Sequence, residues 1–218
     1  MRIGLFGGTF DPVHNAHLFV AEAARVALGL ERTVFLPTRA GRHRLETPTA
    51  PVDDRVAMLR LAIAANARFA LDESDLASDA TGLTADLLPR LRPRYPGAAF
   101  SFIVGGDSLL ESPWQRFDEV LDALEAFAIA PRAEHSLERI ERLRATLAPA
   151  RRDKIRVLPL PGLGESATLV RAQLAAGGSI RYLVPEPVFR YIGERKLYAP
   201  AGLAERSPSR PGVERRQP

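Results

Sequence analysis

Near the amino terminus the run "GGTFDPVHNAH", Gly7 to His17, crowds two glycines, a proline and two histidines three apart into one short segment. Imidazoles donate hydrogen bonds and change charge near neutral pH. Glycines let backbone approach a ligand closely. If the segment leads from a strand into a helix, the helix adds unpaired N–H groups and the positive end of its dipole. Phosphate is the ligand such a combination suits. Histidines that only cap the helix or pack are the plainer alternative, which fits one His better than the whole constellation.

Other chemistries are excluded by composition. The 218 residues contain no Cys, so disulfides, thiolate zinc sites and cysteine nucleophiles are absent. No G-x-x-x-x-G-K-[ST] and no G-x-G-x-x-G follows the first strand, which excludes a Walker-type hydrolase and disfavours a dinucleotide dehydrogenase. The formal charge of +4 fits an anionic substrate. The arginines are scattered without an aromatic–basic array, so nucleic acid is not an expected partner. No early apolar stretch resembles a signal peptide and no run reaches membrane-spanning length, so a cytoplasmic protein is expected. Nothing in the sequence marks an oligomeric state.

The elements that must position the loop alternate. "RIGLF" (Arg2 to Phe6) reads as a buried parallel strand, and Ala16 to Leu28 as a helix ended by Gly29. "TVFLP", "RFAL", "AFSFIV" (Ala99 to Val104), "AFAIA" and "IRVLPL" are further strands. Helices start at Val52 behind Pro51, run through "TADLLPRL" with an interruption at Pro89, and span Ser136 to Leu147. This pattern predicts an α/β fold: a Rossmann-like, doubly wound parallel sheet with helices on both faces. One domain is expected over residues 1–199, followed by a disordered basic tail over 200–218. Strand "AFSFIV" should neighbour the first strand across the switch point, so that "VGGDS" and the first loop face one crevice.

"GGTFDPVHNAH" resembles the G-x-F-D-P-x-H-x-G-H signature of the nucleotidyltransferase superfamily, and is most similar to the bacterial nicotinate mononucleotide adenylyltransferases. "GRHR", "GGDSLLESPWQRFDEVL", "ESATLVR" and "LVPEPVFRYIGERKLY" resemble that family's later motifs in order, so the likeness covers roughly residues 2 to 198. Ala16 stands for the usual glycine, Leu83 for a Tyr, and the prolines before His43 are missing.

The resemblance implies transfer of the adenylyl group of ATP to nicotinate mononucleotide, with Mg²⁺ bound through the ATP phosphates. Another phosphorylated acceptor such as nicotinamide mononucleotide, or a binding module without turnover, are the alternatives. It implies ATP contacts from Gly8, Thr9, Phe10, His14, His17, Gly105, Asp107, Ser166, Thr168 and Arg171, and no protein-held metal. Catalysis falls to His14, His17 and Arg171. His43, Arg44, Thr84, Trp114 and Arg132 are expected on the acceptor, with Trp114 stacked on its pyridine ring. Read from the residues alone, Asp107 is equally a helix cap and Trp114 partial core. Ser166 or Thr168 can cap the helix that carries Arg171.

Overall fold

The computed structural model describes residues 1–39, 50–106, 109, 114–131 and 134–199, with the side chains of 134–136 excepted. The expected tail over 200–218 lies outside the described residues. Strands β1 (Arg2–Gly8), β2 (Arg32–Pro37), β3 (Phe69–Leu71), β4 (Ala99–Gly105), β5 (Ala126–Ala130) and β6 (Ile155–Val157) form one sheet in the order β3-β2-β1-β4-β5-β6. Every pairing is parallel. Helix α1 (Asn15–Ala27) connects β1 to β2, and α2 (Val52–Ile63) connects β2 to β3. Helix α3 (Thr84–Leu91) precedes β4, α4 (Phe117–Ala123) precedes β5, and α5 (Glu134–Thr146) and α6 (Pro149–Arg152) precede β6. Helices α7 (Ala167–Ala175) and α8 (Glu186–Arg195) close the fold.

Strand side chains alternate between two cores, as a period of two requires. Phe6, Phe35 and Ile103 pack with α1, α2, α7 and α8. Leu5, Val34, Leu36, Phe100, Phe102 and Phe127 pack with α3, α4 and α5. Because both faces are covered, the strands are near-continuous apolar runs. The chain winds outward from β1 in one direction and from β4 in the other. The carboxyl ends of β1 and β4 therefore flank the switch point, where open α/β sheets bind ligands.

One local expectation is corrected. Helix α3 is not interrupted at Pro89 but runs through it. A mid-helix proline costs about 3 kcal/mol. Burial of Ala85, Leu87, Leu88 and Leu91 on one face offsets that, at about 1.5–3 kcal/mol for each large side chain. Among the described residues, no helix is long and apolar enough to cross a membrane.

Candidate active site

The first loop, from Gly8 to His14, leaves β1 at the switch point. Its shape is set from inside. Phe10 is buried with φ 49°, a left-handed conformation that a bulky residue adopts only when its surroundings impose it. Its ring packs edge-on to Phe6 at 5.7 Å and to His17 at 5.1 Å. That ring lies over Gly8: a Cβ there would come within 3.0 to 3.3 Å of three Phe10 ring carbons. Gly8 thus suits the loop's own packing, since a Cβ there would make the Phe10 ring give by a few tenths of an ångström.

Helix α1 begins with an imidazole pair. The N–H of His14 donates to Nδ1 of His17 at 3.1 Å, and the two rings stack 3.6 Å apart. An accepting Nδ1 carries no proton, so neutral His17 holds its proton on Nε2 and presents a donor there. His14 is buried and His17 half-buried. One expectation changes here. The Asn15 N–H, first amide of the helix, is not open to phosphate: it donates to the carbonyl of Leu183 at 2.9 Å. The Asn15 side chain holds the Tyr182 carbonyl in the same way at 2.7 Å. The turn before α8 is thereby sewn to the start of α1.

Ser166, not Thr168, caps α7, its hydroxyl accepting from the Leu169 N–H at 3.1 Å. Thr168 lies within α7, its hydroxyl 3.5 Å from Arg171 Nη2. Arg171 Nη1 donates to the Asp11 carbonyl at 2.7 Å. Two motifs 160 residues apart therefore share one hydrogen bond, and the Arg171 guanidinium stands beside the loop that carries the histidines. Gly105 ends β4, which pairs with β1 in the register Phe6↔Ile103.

Trp114 is half-buried against three aromatic rings of the second core, Phe102 and Phe117 at 5.8 Å and Phe127 at 5.1 Å. Phe102 reaches the carboxyl end of β1: a Cβ on Gly7 would meet its Cζ at 3.1 Å. Thr84 is the first residue of α3, on that same face of the sheet. His43, Arg44, Asp107 and Arg132 lie outside the described residues.

Three residues of this region escaped the sequence reading. Asp11 is buried, and its Oδ1 accepts from the Ala50 N–H at 3.2 Å and from the Tyr198 hydroxyl at 2.7 Å. Burial, then the Asp11 hydrogen bond and its charge, push the Tyr198 phenol far above its ordinary range, so it stays a donor. Arg55 of α2 is fully buried beneath the loop. Its guanidinium donates to the carbonyls of Thr9, Thr38 and Arg39. Burial lowers the Arg55 pKa, and the nearby negative charge of Asp11 opposes the shift. "VDDRVAML" reads as an ordinary amphipathic helix in which Arg would face solvent, and "FDP" reads as a turn. Only the order of Asp53, Asp54 and Arg55 against the apolar stripe of Val56 and Leu59 hinted that a charge turned inward.

The cytidylyltransferase-like family matches residues 5–162 of this chain. A relative from Symbiobacterium thermophilum named "Probable nicotinate-nucleotide adenylyltransferase" is 37% identical over 198 residues, covering 90% of this chain and 95% of its own. One of the same name from Neisseria meningitidis serogroup B is 37% identical over 200 residues, covering 90% and 98%. The fold is similar to that of Plasmodium falciparum nicotinic acid mononucleotide adenylyltransferase complexed with NaAD, with a TM-score of 0.68 at 19% identity, covering 90% and 97%. With relatives of that name 37% identical along nine-tenths of the chain, five segments resembling that family in order, and the first and last of these joined by the Tyr198–Asp11 hydrogen bond, the chain belongs to the nicotinate-nucleotide adenylyltransferases.

Proposed function

We infer that the chain transfers the adenylyl group of MgATP to nicotinate mononucleotide, yielding nicotinate adenine dinucleotide and pyrophosphate for NAD synthesis. The acceptor's phosphate oxygen attacks the α-phosphorus of ATP, and the bond from that phosphorus to the β-bridging oxygen breaks. A phosphate monoester is already largely dianionic at pH 7, its second pKa being about 6, so no strong base is needed. What the protein must supply is in-line positioning and charge neutralisation.

The observation that carries this reading is the Arg171–Asp11 hydrogen bond, which brings a guanidinium to the loop that ends in stacked imidazoles. On this reading His17 Nε2 donates to the α-phosphate, His14 and Arg171 hold the outer phosphates, and Thr9 and Phe10 border the nucleotide. Trp114 and Thr84 border the acceptor; His43, Arg44 and Arg132 take its phosphate, and Asp107 the sugar hydroxyls. Imidazole, guanidinium and amide donors suit phosphate oxygens and not a hard cation. Mg²⁺ therefore enters with the triphosphate as part of the substrate. Both substrates are small nucleotides of the cytoplasm, and no nucleic-acid partner is involved.

Incubating the protein with MgATP and either the acid or the amide mononucleotide tests the reading. Equal amounts of pyrophosphate and nicotinate adenine dinucleotide are expected, with the acid preferred. Preference for the amide would reassign the acceptor, and ATP binding without turnover on either would make the chain a binding module.

A further inference from the structure

Among the described residues Arg55 is the one fully buried cation, and it needs a reason, because desolvating a guanidinium costs several kcal/mol and hydrogen bonds to neutral carbonyls offset it only partly. Arg55 spans two loops. Nη1 takes the carbonyl of Thr9, in the loop after β1, and that of Thr38, just after β2, the latter at 2.8 Å. Nη2 takes the carbonyl of Arg39 at 2.9 Å. The Thr38 N–H itself donates to the Gly8 carbonyl at 3.0 Å, so the two chains run side by side where Arg55 grips them. The second loop is fixed further on, where the Arg39 side chain donates to the Leu76 carbonyl at 2.7 and 3.0 Å. The base of the grip is also fixed. Asp54, the preceding residue, accepts from the Tyr191 hydroxyl at 2.8 Å and Arg195 Nε at 3.2 Å, which ties α2 to α8.

We propose that Arg55 is a positioning residue that sets the spacing between the ATP loop after β1 and the acceptor loop after β2. It rests on the reading of function above, in which those two loops carry the two reacting phosphates. Arg55 touches neither substrate. Its three carbonyl bonds hold the first loop against the second, and an in-line displacement is sensitive to that separation: a misplacement of about 1 Å can cost roughly 100-fold in rate. A planar fork reaching three acceptors is something a lysine ammonium does not reproduce.

The test compares wild type with Arg55→Lys and Arg55→Met. Melting temperature reports the fold. Calorimetric titration with a non-hydrolysable ATP analogue and with nicotinate mononucleotide reports the number of competent sites and both affinities. Expected for Arg55→Lys are one site per chain, both affinities within about 3-fold of wild type, and a kcat per competent site lower by roughly 10- to 100-fold. Arg55→Met, which removes the buried charge, should lose at least as much kcat per site. Wild-type kcat per site in either folded variant overturns the proposal. So does a fall in site number that tracks melting temperature while kcat per remaining site is unchanged, since Arg55 is then only structural. Absence of transfer by the wild-type protein would instead remove the functional reading on which the proposal rests.

Discussion

The two sides of the crevice are built differently. On the donor side, the first loop is gripped through its backbone and one buried carboxylate. Arg55 and Arg171 hold the carbonyls of Thr9 and Asp11, and the Asp11 side chain takes Ala50 and Tyr198. These partners come from α2, α7, the segment before α2 and the chain after α8. On the other side, Arg116 at the start of α4 reaches Asp86 of α3 across the surface and pairs with Glu119 of its own helix, while Arg90 of α3 pairs with Asp79 of the preceding loop. Buried hydrogen bonds to a charged group are each worth about 1.5–3 kcal/mol. Exposed ion pairs are worth little and are screened by salt. A donor loop gripped by buried hydrogen bonds suits a reaction whose triphosphate must be aligned.

That contrast can be sharpened from its strongest point downward. Trp114→Ala should do two things at once. Weakening of the pyridine nucleotide by roughly 10- to 100-fold is expected from a lost stacking face of about 1–3 kcal/mol. Because the indole also packs on Phe102, Phe117 and Phe127, stability should fall by about 2–3 kcal/mol, and Phe at this position should restore part of both. Denaturant unfolding and titration with each nucleotide separate the two losses, and an unchanged acceptor affinity would leave Trp114 as core only. Arg171→Lys acts on the donor side. It should weaken ATP roughly 10-fold and slow turnover, with a stability loss of only about 1 kcal/mol, because a lysine cannot both hold the Asp11 carbonyl and fork onto phosphate. Full activity in that variant would reduce Arg171 to a brace. Arg116→Ala, which removes only the exposed ion pairs to Asp86 and Glu119, should shift the melting temperature by no more than about 2 °C and leave ATP affinity intact. A large drop would show that these exposed pairs carry more stability than their exposure implies.

Much of this is legible in the sequence, for definite reasons. Strands with apolar runs and helices bounded by Gly29, Pro51 and Ser166 follow local rules, and β1 and β4 became neighbours through the winding those elements enforce. The donor loop was legible because His14, His17 and Gly8 sit in consecutive chain. Its bracing was not. Arg55, Asp11 and Tyr198 are each unremarkable in sequence, and what joins them is burial by elements far apart in the chain. The expected unpaired N–H at the start of α1 misled for the same reason, since the Leu183 carbonyl that takes the Asn15 N–H arrives from far along the chain. Pro89 misled differently: its local penalty is outweighed by the apolar face of α3.

The most direct measurement is single-turnover transfer of label from ATP marked at its α-phosphate to nicotinate mononucleotide, by wild type and by His17→Ala, with both substrates saturating. In wild type the label should move into the dinucleotide. In the variant it should move at least roughly 100-fold more slowly, while ATP affinity changes only several-fold, as for a donor acting mainly in the transition state. Equal transfer rates in the two proteins would contradict the assignment of adenylyl transfer to this loop.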